Sequence, residues 1–269
     1  MRAEHGFQLS GDAADRLTNV RFADDLILFA KSLCEVEEMT ALLVEEFAKA
    51  GLVANGSKTK VLTTDAAVFS GPTPLLVDIA GMLVEVIKAG SSHKYLGKSL
   101  PGDLTSRGQR NLDHRLSCAW MRFHELRHTL LNHKIPVKLR LRLFDAVVSP
   151  TVLFSLSTTP LTVTQLERLD GAQRKMMRRI VGWVRHDEED WHVTGHRMKE
   201  RLNSAWDSTR VAVWSQARGK QRRRLLEKVA NQPAGIVCRV YHWSIRPTVP
   251  GQVAYRRPGR PACRWTDGV

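Results

Sequence analysis

The apolar residues of this 269-residue chain change their spacing near residue 105. Before this point short apolar runs alternate with turn residues, which is typical of strands and hairpins. After this point apolar residues recur every three or four positions, which is typical of amphipathic helices. The switch predicts an α+β protein with a strand-containing region over 1–104 and an all-helical region over 105–230. Residues 231–269 are rich in Pro, Arg and Gly, and we expect this basic tail to be poorly ordered.

The charge of the chain changes at the same boundary. Residues 1–105 contain 10 Lys and Arg residues and 14 Asp and Glu residues, whereas residues 106–269 contain 31 and 13. The one-sided excess predicts that the helical region contacts a polyanion, and nucleic acid is the first candidate. A basic surface that serves only solubility is the alternative.

Three absences narrow the expected cellular location. No apolar run reaches 18 residues, so no membrane span is expected. The first residues lack the apolar segment of a secretory signal. The four cysteines form no CxxC pair, which favours free thiols in a reducing compartment. We therefore expect an intracellular protein, nuclear or cytoplasmic.

The stretch NVRFADDLILFAKS, residues 19–32, predicts a β-hairpin with two adjacent acids at its tip. Two β-forming runs flank Ala23, Asp24 and Asp25, which form the connection. Adjacent carboxylates repel each other, and a divalent cation bound at a shared pocket would cancel the repulsion. Mg²⁺ commonly binds through one or two carboxylates together with substrate phosphates. An ordinary acidic turn is the alternative, because Asp is common in turns.

Further elements follow on both sides of the boundary. A helix is predicted over 33–50, with Ser32 and Glu35 as a capping box and Gly51 at its end. The rest of the strand-containing region is predicted to hold a short strand after the turn at Asn55 and Gly56, a hairpin over 75–87 and a strand over 93–100. The helical region is predicted to hold a first helix over 105–132, with Leu112, Leu116, Ala119, Phe123 and Leu126 on one face. Further helices are predicted over 136–148 and over 162–183, the latter opened by Thr162 or Thr164, and one or two more over 197–230.

This order of motifs resembles the palm of reverse transcriptases, most closely those of non-LTR (LINE-type) retrotransposons. The catalytic hairpin of that family reads aromatic-Ala-Asp-Asp, which matches Phe22 to Asp25. The motifs N-x-x-K-T-K at 55–60 and K-Y-L-G at 94–97 match its next two palm elements. The downstream helices and basic tail resemble the thumb and tail of the same elements, so the resemblance covers the chain from about residue 18.

The resemblance implies an RNA-directed DNA polymerase that uses an RNA template, a DNA primer, dNTPs and Mg²⁺ or Mn²⁺. It implies that Asp24 is a metal ligand, that Asp25 is its catalytic neighbour and that Lys58 lies near the incoming triphosphate. The nucleic-acid contacts that it implies are Phe22, Lys60, Tyr95 and Gly97. A solvated strand end is the alternative for Lys60, and a core aromatic is the alternative for Tyr95.

Two basic runs of the helical region are candidate phosphate contacts. In RKMMRRIVGW the basic residues are Arg174, Lys175, Arg178 and Arg179, and they could track the phosphates of an RNA–DNA duplex or a structured RNA. The apolar residues between them, including Trp183, are predicted to be core, with a base-stacking role as the alternative. The run over 218–228 is a second basic patch. For either run, a solvated face or a localisation signal is the alternative.

The catalytic aspartate that the family carries on an earlier strand is not found among the 23 residues before Asp24. We therefore expect a fragment that lacks the fingers and is inactive alone. The alternative is a catalytically dead nucleic-acid-binding remnant. Zinc sites at Cys238, His242 and Cys263, or at His192 and His196, are incomplete and are not expected.

Overall fold

The computed structural model describes residues 5–9, 15–63, 75–88, 90–103 and 106–242. These residues divide into two compact units. The first, called the strand unit below, contains the described residues among 5–93, 101–103 and 226–242. The second, called the helical unit, contains those among 94–100 and 106–225. The segment 94–100 therefore groups with the helices.

Short strands form small sheets of two or three strands. In the described residues they are β1 Phe7–Gln8, β2 Arg16–Leu17, β3 Asn19–Phe22, β4 Asp25–Leu28, β5 Lys60–Val61, β6 Leu75–Ile79, β7 Met82–Val86, β8 Ser92–Tyr95 and β9 Lys98–Pro101. β1 pairs with β2 and β3 with β4, both antiparallel. β7 pairs antiparallel with β6 and parallel with β5, and β8 pairs with β9. The hairpin predicted over 75–87 is confirmed.

The helices begin with one in the strand-rich part and continue through the second half of the chain. In the described residues they are α1 Leu33–Lys49, α2 Arg107–Glu125, α3 Arg127–Leu130, α4 Val137–Leu153, α5 Val163–Val181, α6 Trp191–Asp207, α7 Trp214–Ala230 and α8 Ile236–His242. The mixed α+β class is confirmed. The single helix predicted over 105–132 is wrong, because Leu126 leaves helical geometry (φ −91°, ψ 4°) between α2 and α3. The tail predicted over 231–269 includes α8, and 243–269 lie outside the described residues.

The ends of α1 follow local rules, with one difference from the prediction. Ser32 accepts a hydrogen bond from the Glu35 amide, as an N-cap does. Glu35 does not complete a capping box, because its carboxylate accepts the amides of Lys31 and Gly6 instead. Burial acts to raise the pKa of Glu35, but these two bonds outweigh it and the net pKa is lowered. Gly51 has a positive φ of 71° and ends the helix as predicted.

The strand unit has a small apolar core. Its α1 lies against β6, and the buried apolar side chains there are Met39, Ile79, Val84, Val86 and Ile87. The apolar residues of α1 that share helical spacing with Met39 are only half-buried; they are Val36, Leu43 and Phe47. The amphipathic pattern of α1 is therefore real, but its apolar face is covered incompletely by the described residues.

The helical unit has an extensive core. The face of α2 predicted from its spacing is buried at Leu112, Leu116, Ala119 and Phe123. α4 and α5 pack against α2 and against each other. The ring of Phe144 on α4 stacks on Trp214 with centroids 5.8 Å apart, and both side chains are fully buried. Tight packing of this kind gives the helical unit a rigid framework.

Buried arginines satisfy carbonyl groups at the ends of helical segments. Arg140 donates to the carbonyls of Leu130 (3.2 Å) and Ile135 (2.9 Å), and also to that of Ile180. Arg218 donates to the carbonyls of Leu156 (2.9 Å) and Thr159 (2.6 Å). The carbonyls of Leu130 and Ile180 lie in the last turns of α3 and α5, where a helix leaves carbonyl groups without an internal partner.

The basic run over 218–228 is therefore not one continuous surface patch. Arg218 is 5% exposed and Arg222 is 3% exposed, so two of its cations lie inside the unit. The exposed cations of that run include Arg223 and Arg224.

Candidate active-site hairpin and nucleic-acid interface

β3 and β4 place the two aspartates at the end of a tight hairpin. Phe22 pairs directly with Asp25, so Ala23 and Asp24 alone form the turn and Asp25 begins β4. Directly paired residues project from the same face of a hairpin, so Phe22 and Asp25 share one face. Both aspartates are exposed, and the Phe22 side chain is 60% exposed. The hairpin tip is therefore an open acidic surface beside an exposed aromatic ring.

The two carboxylates are available to an outside partner. Within the described residues, neither Asp24 nor Asp25 takes part in an ion pair or a side-chain hydrogen bond. Two adjacent anions without a cation repel each other, so this tip gains stability from any bound positive charge. By contrast, the Glu85 carboxylate in the same unit forms an ion pair with Lys60.

The residues fit a hard divalent cation in kind but not in number. Carboxylate oxygens are the ligands that Mg²⁺ and Mn²⁺ prefer, and Asp24 and Asp25 offer them in an exposed position. No cluster of three or more metal-ligating side chains occurs in the part of the chain that the structure describes. A cation held here would therefore need further ligands from water, phosphate or another carboxylate.

The turn holds an alanine in an unfavourable backbone conformation. Ala23 has a φ of 51°, in the left-handed region that side chains with a Cβ disfavour. The turns at Ala80–Gly81 and Leu96–Gly97 also begin with a positive φ, but each continues with a glycine. Such strain persists where the surroundings impose it, and it clusters at functional sites. Ser155, Glu188 and Arg210 share this positive φ, so the conformation of Ala23 alone assigns no function to the tip.

The N-x-x-K-T-K motif forms a compact loop before β5. The Asn55 side chain accepts hydrogen bonds from Ser57 Oγ (2.7 Å) and from the Lys58 amide (3.2 Å), which makes it the organiser of the turn. Lys58 is exposed. Lys60 is half-buried, and its ammonium group lies 2.8 Å from Glu85 on the paired strand β7. Lys58 is thus the lysine of this motif that is free to meet a phosphate.

The K-Y-L-G motif forms the turn between β8 and β9. Leu96 and Gly97 both have positive φ, at 46° and 73°. A Cβ at Gly97 would lie 3.2 Å from the Phe154 ring, so the position favours glycine for space as well as for dihedral angle. Arg115 of α2 donates to the Gly97 carbonyl and lies 4.5 Å from the Phe154 ring centroid. Gly97 therefore has a structural role inside the helical unit.

Tyr95 and Lys98 flank this turn. The Tyr95 hydroxyl is buried and has no hydrogen-bond partner among the described residues, which favours the core alternative over a strand-seating role. Lys98 donates to Thr158 Oγ1 at 2.8 Å. Burial, followed by the nearby charge of Arg107, lowers the pKa of Lys98 to about 8.

A cleft of about 410 Å³ opens beside the Gly97 turn within the helical unit. Its walls carry Lys94, His114 and Arg115, the exposed ring of Phe154, and the thiol of Cys118. Burial, together with the charges of Arg115 and Lys94, lowers the pKa of His114. Sequence reasoning missed this cleft, because its residues come from three separate elements and no local motif joins them.

α5 presents the predicted basic residues on one exposed face. Arg174, Lys175, Arg178 and Arg179 are all exposed, while Met176, Met177 and Ile180 between them are fully buried. Lys175 and Arg179 lie 5.9 and 5.1 Å from the centroid of the Trp120 ring on α2. The prediction of Trp183 as core is wrong, because its side chain is 56% exposed beyond the end of α5.

The structure also bears on the sequence hypotheses about free thiols, zinc sites and membrane spans. Cys34, Cys118 and Cys238 are free thiols, as expected. Cys263 and the side chain of His242 lie outside the described part, so the zinc alternative there is untested. His192 and His196 are exposed on α6, and His196 faces Glu200 at 3.5 Å. Among the helices that the structure describes, none is long and apolar enough to cross a membrane.

Comparison with known proteins gives a relative of mobile-element origin. The chain is 28% identical over 178 residues to a Caenorhabditis elegans protein named as transposon-derived and uncharacterized. The match covers 65% of this chain and 61% of the relative, so the chain spans about three-fifths of the length of the curated relative that it matches. No family model and no solved structure matches the chain. The similarity is consistent with origin from a transposable element.

Proposed function

We propose that this chain is the palm and thumb portion of a retrotransposon reverse transcriptase, an RNA-directed DNA polymerase. The observation that carries the proposal is the β3–β4 hairpin, whose exposed Asp24 and Asp25 have no cationic partner among the described residues. The similarity to a transposon-derived protein supports the same origin. The exposed basic face of α5 supports contact with a nucleic acid.

In this proposal Asp24 and Asp25 hold Mg²⁺ or Mn²⁺ beside the growing strand. A cation bound there would neutralise charge on the phosphate oxygens of a nucleotide during nucleotidyl transfer. In the overall reaction the primer 3′-oxygen bonds to the α-phosphorus, pyrophosphate leaves, and the hydroxyl proton is released. Lys58 is exposed and suited to meet the negative charge of the triphosphate.

The site also sets a limit on what the chain does alone. Two-metal nucleotidyl transfer needs more carboxylate ligands than Asp24 and Asp25 supply. The described residues contain no cluster of three metal-ligating side chains. We therefore propose that the purified chain binds the template–primer but extends it weakly or not at all.

Iron-directed cleavage tests the metal site without relying on activity. Fe²⁺ bound in place of Mg²⁺, with ascorbate and peroxide, should cut the backbone next to the hairpin over 19–28 in the presence of template–primer and dNTP. An Asp24→Asn, Asp25→Asn variant should lose these cuts, whereas an Asp78→Asn variant in the β6–β7 turn should retain them. Cuts that are absent in the wild type, or unchanged in the double variant, would contradict the proposed metal site.

The second candidate function is a nucleic-acid-binding remnant without catalysis. The basic face of α5 and the cations of the Gly97 cleft favour it, because both are independent of the hairpin. Primer extension with Mg²⁺ and all four dNTPs, on an RNA template, separates the two proposals. Extension that disappears in Asp24→Asn supports the polymerase and overturns the predicted inactivity. Salt-dependent binding with neither hairpin cleavage nor extension supports the remnant.

A further inference from the structure

Trp183 and Trp191 form an exposed aromatic pair in the helical unit. α5 ends at Val181, and Gly182 takes a positive φ of 82°, which turns the chain away from the helix axis before Trp183. The Trp183 and Trp191 side chains are 56% and 61% exposed. Their ring centroids are 6.3 Å apart and their planes are inclined by 28°. Large aromatic surfaces left in water side by side mark a binding surface.

A network of hydrogen bonds holds the segment that carries the pair. Glu189 accepts from Arg197 Nε (2.8 Å) and Nη2 (2.7 Å) and from Thr194 Oγ1 (2.8 Å). Arg197 also donates to the Val184 carbonyl at 2.7 Å. Asp190 caps α6 by accepting the His192 amide. The two rings are thus displayed on a preorganised support, which lowers the entropic penalty of binding.

Three cationic side chains lie beside the aromatic pair. The Arg185 guanidinium lies 4.7 Å from the centroid of the Trp191 ring. Trp183 also lines a cleft of about 250 Å³ together with Arg178 and Lys199. The other walls of the cleft are Val181, Gly182, Gly195, Met198 and Leu202. None of these lining residues is acidic.

This combination of rings and cations favours one class of partner. Aromatic faces beside a cationic groove bind single-stranded nucleic acid, because bases stack on the rings while the backbone follows the positive charge. An apolar protein surface would leave three cations without partners at the same interface. The bases of a duplex are already stacked on one another, so a duplex gains little from the indoles.

We propose that Trp183 and Trp191 form a stacking platform for the bases of a single-stranded RNA or DNA, with Arg178, Arg185 and Lys199 next to its phosphates. The inference rests on the proposed nucleic-acid role of the helical unit and adds a single-strand subsite to it. Asp187 and Glu188 are exposed in the connecting segment. Their charges oppose a passing backbone, so their neutralisation should strengthen binding.

The test compares single-stranded and duplex ligands of equal length. Fluorescence anisotropy at fixed ionic strength measures the affinity for labelled 12-nucleotide RNA, DNA and RNA–DNA hybrid. A Trp183→Ala, Trp191→Ala variant should lose about tenfold or more in affinity for the single strands and less than about threefold for the hybrid. A Trp183→Phe, Trp191→Phe variant should recover most of the loss, and Asp187→Asn, Glu188→Gln should bind more tightly.

Matched controls keep the outcome interpretable. Leu139→Ala removes an apolar side chain that is 51% exposed on α4 and should leave all affinities unchanged. Circular dichroism and a melting curve verify that each variant is folded. Unchanged single-strand binding in the double alanine variant, or an equal loss on the hybrid, overturns the platform while the proposed function stands. If the wild type binds no nucleic acid at all, both proposals fail.

The same measurements distinguish RNA from DNA as the ligand, and a nucleic acid from a second copy of the chain as the partner. A preference for RNA over DNA assigns the platform to RNA, and equal affinities assign it to any single strand. Tryptophan emission that shifts with protein concentration but not with oligonucleotide shows that a second copy of the chain covers the rings. That result overturns the inference.

Discussion

The strand unit and the helical unit differ most in how completely they bury their apolar side chains. In the helical unit the large aromatics Phe123, Phe144 and Trp214 are at most 1% exposed. In the strand unit Phe22 is 60% exposed, and the described buried apolar side chains are few: five around α1, β6 and β7, together with Val229 and Cys238. The unit with the incomplete core carries the acidic tip, and the well-packed unit carries the basic surfaces. Regions with few buried contacts are the ones that move most easily.

The two units also use their charges differently. Among the described residues Asp24 and Asp25 have no cationic partner, whereas the exposed cations of α5 are spaced by fully buried apolar residues. A rigid basic surface suits a long polyanion that must be held in one register. An exposed acidic tip suits a small cation that brings its own water ligands. The contrast between the units can be tested in four steps.

The largest expected effect comes from removing the same side chain in the two units. Phe144→Ala should lower the free energy of unfolding by about 3–5 kcal/mol, because it leaves a cavity in a close-packed core. Phe22→Ala should change it by less than about 0.5 kcal/mol, because the ring is mostly in solvent. Urea denaturation followed by circular dichroism measures both. A comparable loss in the two variants would break the contrast.

The second effect concerns nucleic-acid affinity. Replacing Arg174, Lys175, Arg178 and Arg179 by glutamine should weaken duplex binding by about 10- to 100-fold at 0.1 M salt, because up to four phosphate contacts are lost. The slope of log K against log salt should become shallower by about 0.9 per lost contact. Asp24→Asn, Asp25→Asn without Mg²⁺ is the control and should not weaken binding. An unaltered slope in the glutamine variant would exclude a phosphate-binding face.

The third effect is a gain of stability at the acidic tip. Ala23→Gly should protect the amides of 19–28 from hydrogen exchange by about 1 kcal/mol more than the wild type, because glycine adopts a positive φ without strain. Ala48→Gly in α1 is the matched control and should have the opposite sign, by about 0.5–1 kcal/mol. Reduced protection in Ala23→Gly would show that the turn is not strained.

The smallest effect is a pH dependence in the helical unit. Chiefly through its hydrogen bond to Arg197, the pKa of Glu189 is lowered to about 2 from an ordinary value of 4.5. The stabilisation is therefore complete above pH 4.5 and disappears as the pH falls toward 2. The emission of Trp183 and Trp191 should report this loosening. Glu189→Gln should remove the transition, and Glu188→Gln should retain it; a transition that persists in Glu189→Gln would refute the assignment.

Local patterns were sufficient for much of the fold. The hairpin around Ala23, the turn at Gly81 and the cap of α5 at Thr162 each depend on a few consecutive residues, and the structure contains all three. Helical spacing correctly identified the buried face of α2. These features are predictable because the turn residues and the spacing of apolar residues within about ten positions determine the local structure.

Features that depend on distant neighbours were not predictable. The sequence suggests that Arg218 is an exposed cation, but its side chain donates to the carbonyls of Leu156 and Thr159, which are distant in the sequence. Trp183 continues the apolar spacing of α5, but the helix ends before it. For the candidate site, the acidic pair and Lys58 belong to recognisable sequence motifs and remain predicted site residues, whereas no motif indicates the cleft around His114, Arg115 and Phe154. Its residues meet only when α2, α4 and the Gly97 turn pack together.

The buried guanidinium groups change how the basic character of this chain should be understood. Arg115, Arg140 and Arg218 each donate to carbonyl oxygens inside the helical unit, so these charges are committed to fixed partners of the fold. These groups still count in the formal charge of +14, but they contribute less to the exposed positive surface that a polyanion meets. Lysine at these positions would keep the same formal charge, but a single ammonium group cannot bond two separated carbonyls as a planar guanidinium does. Charge-conserving exchanges are thus harmless on the outside of α5 and damaging at these three positions.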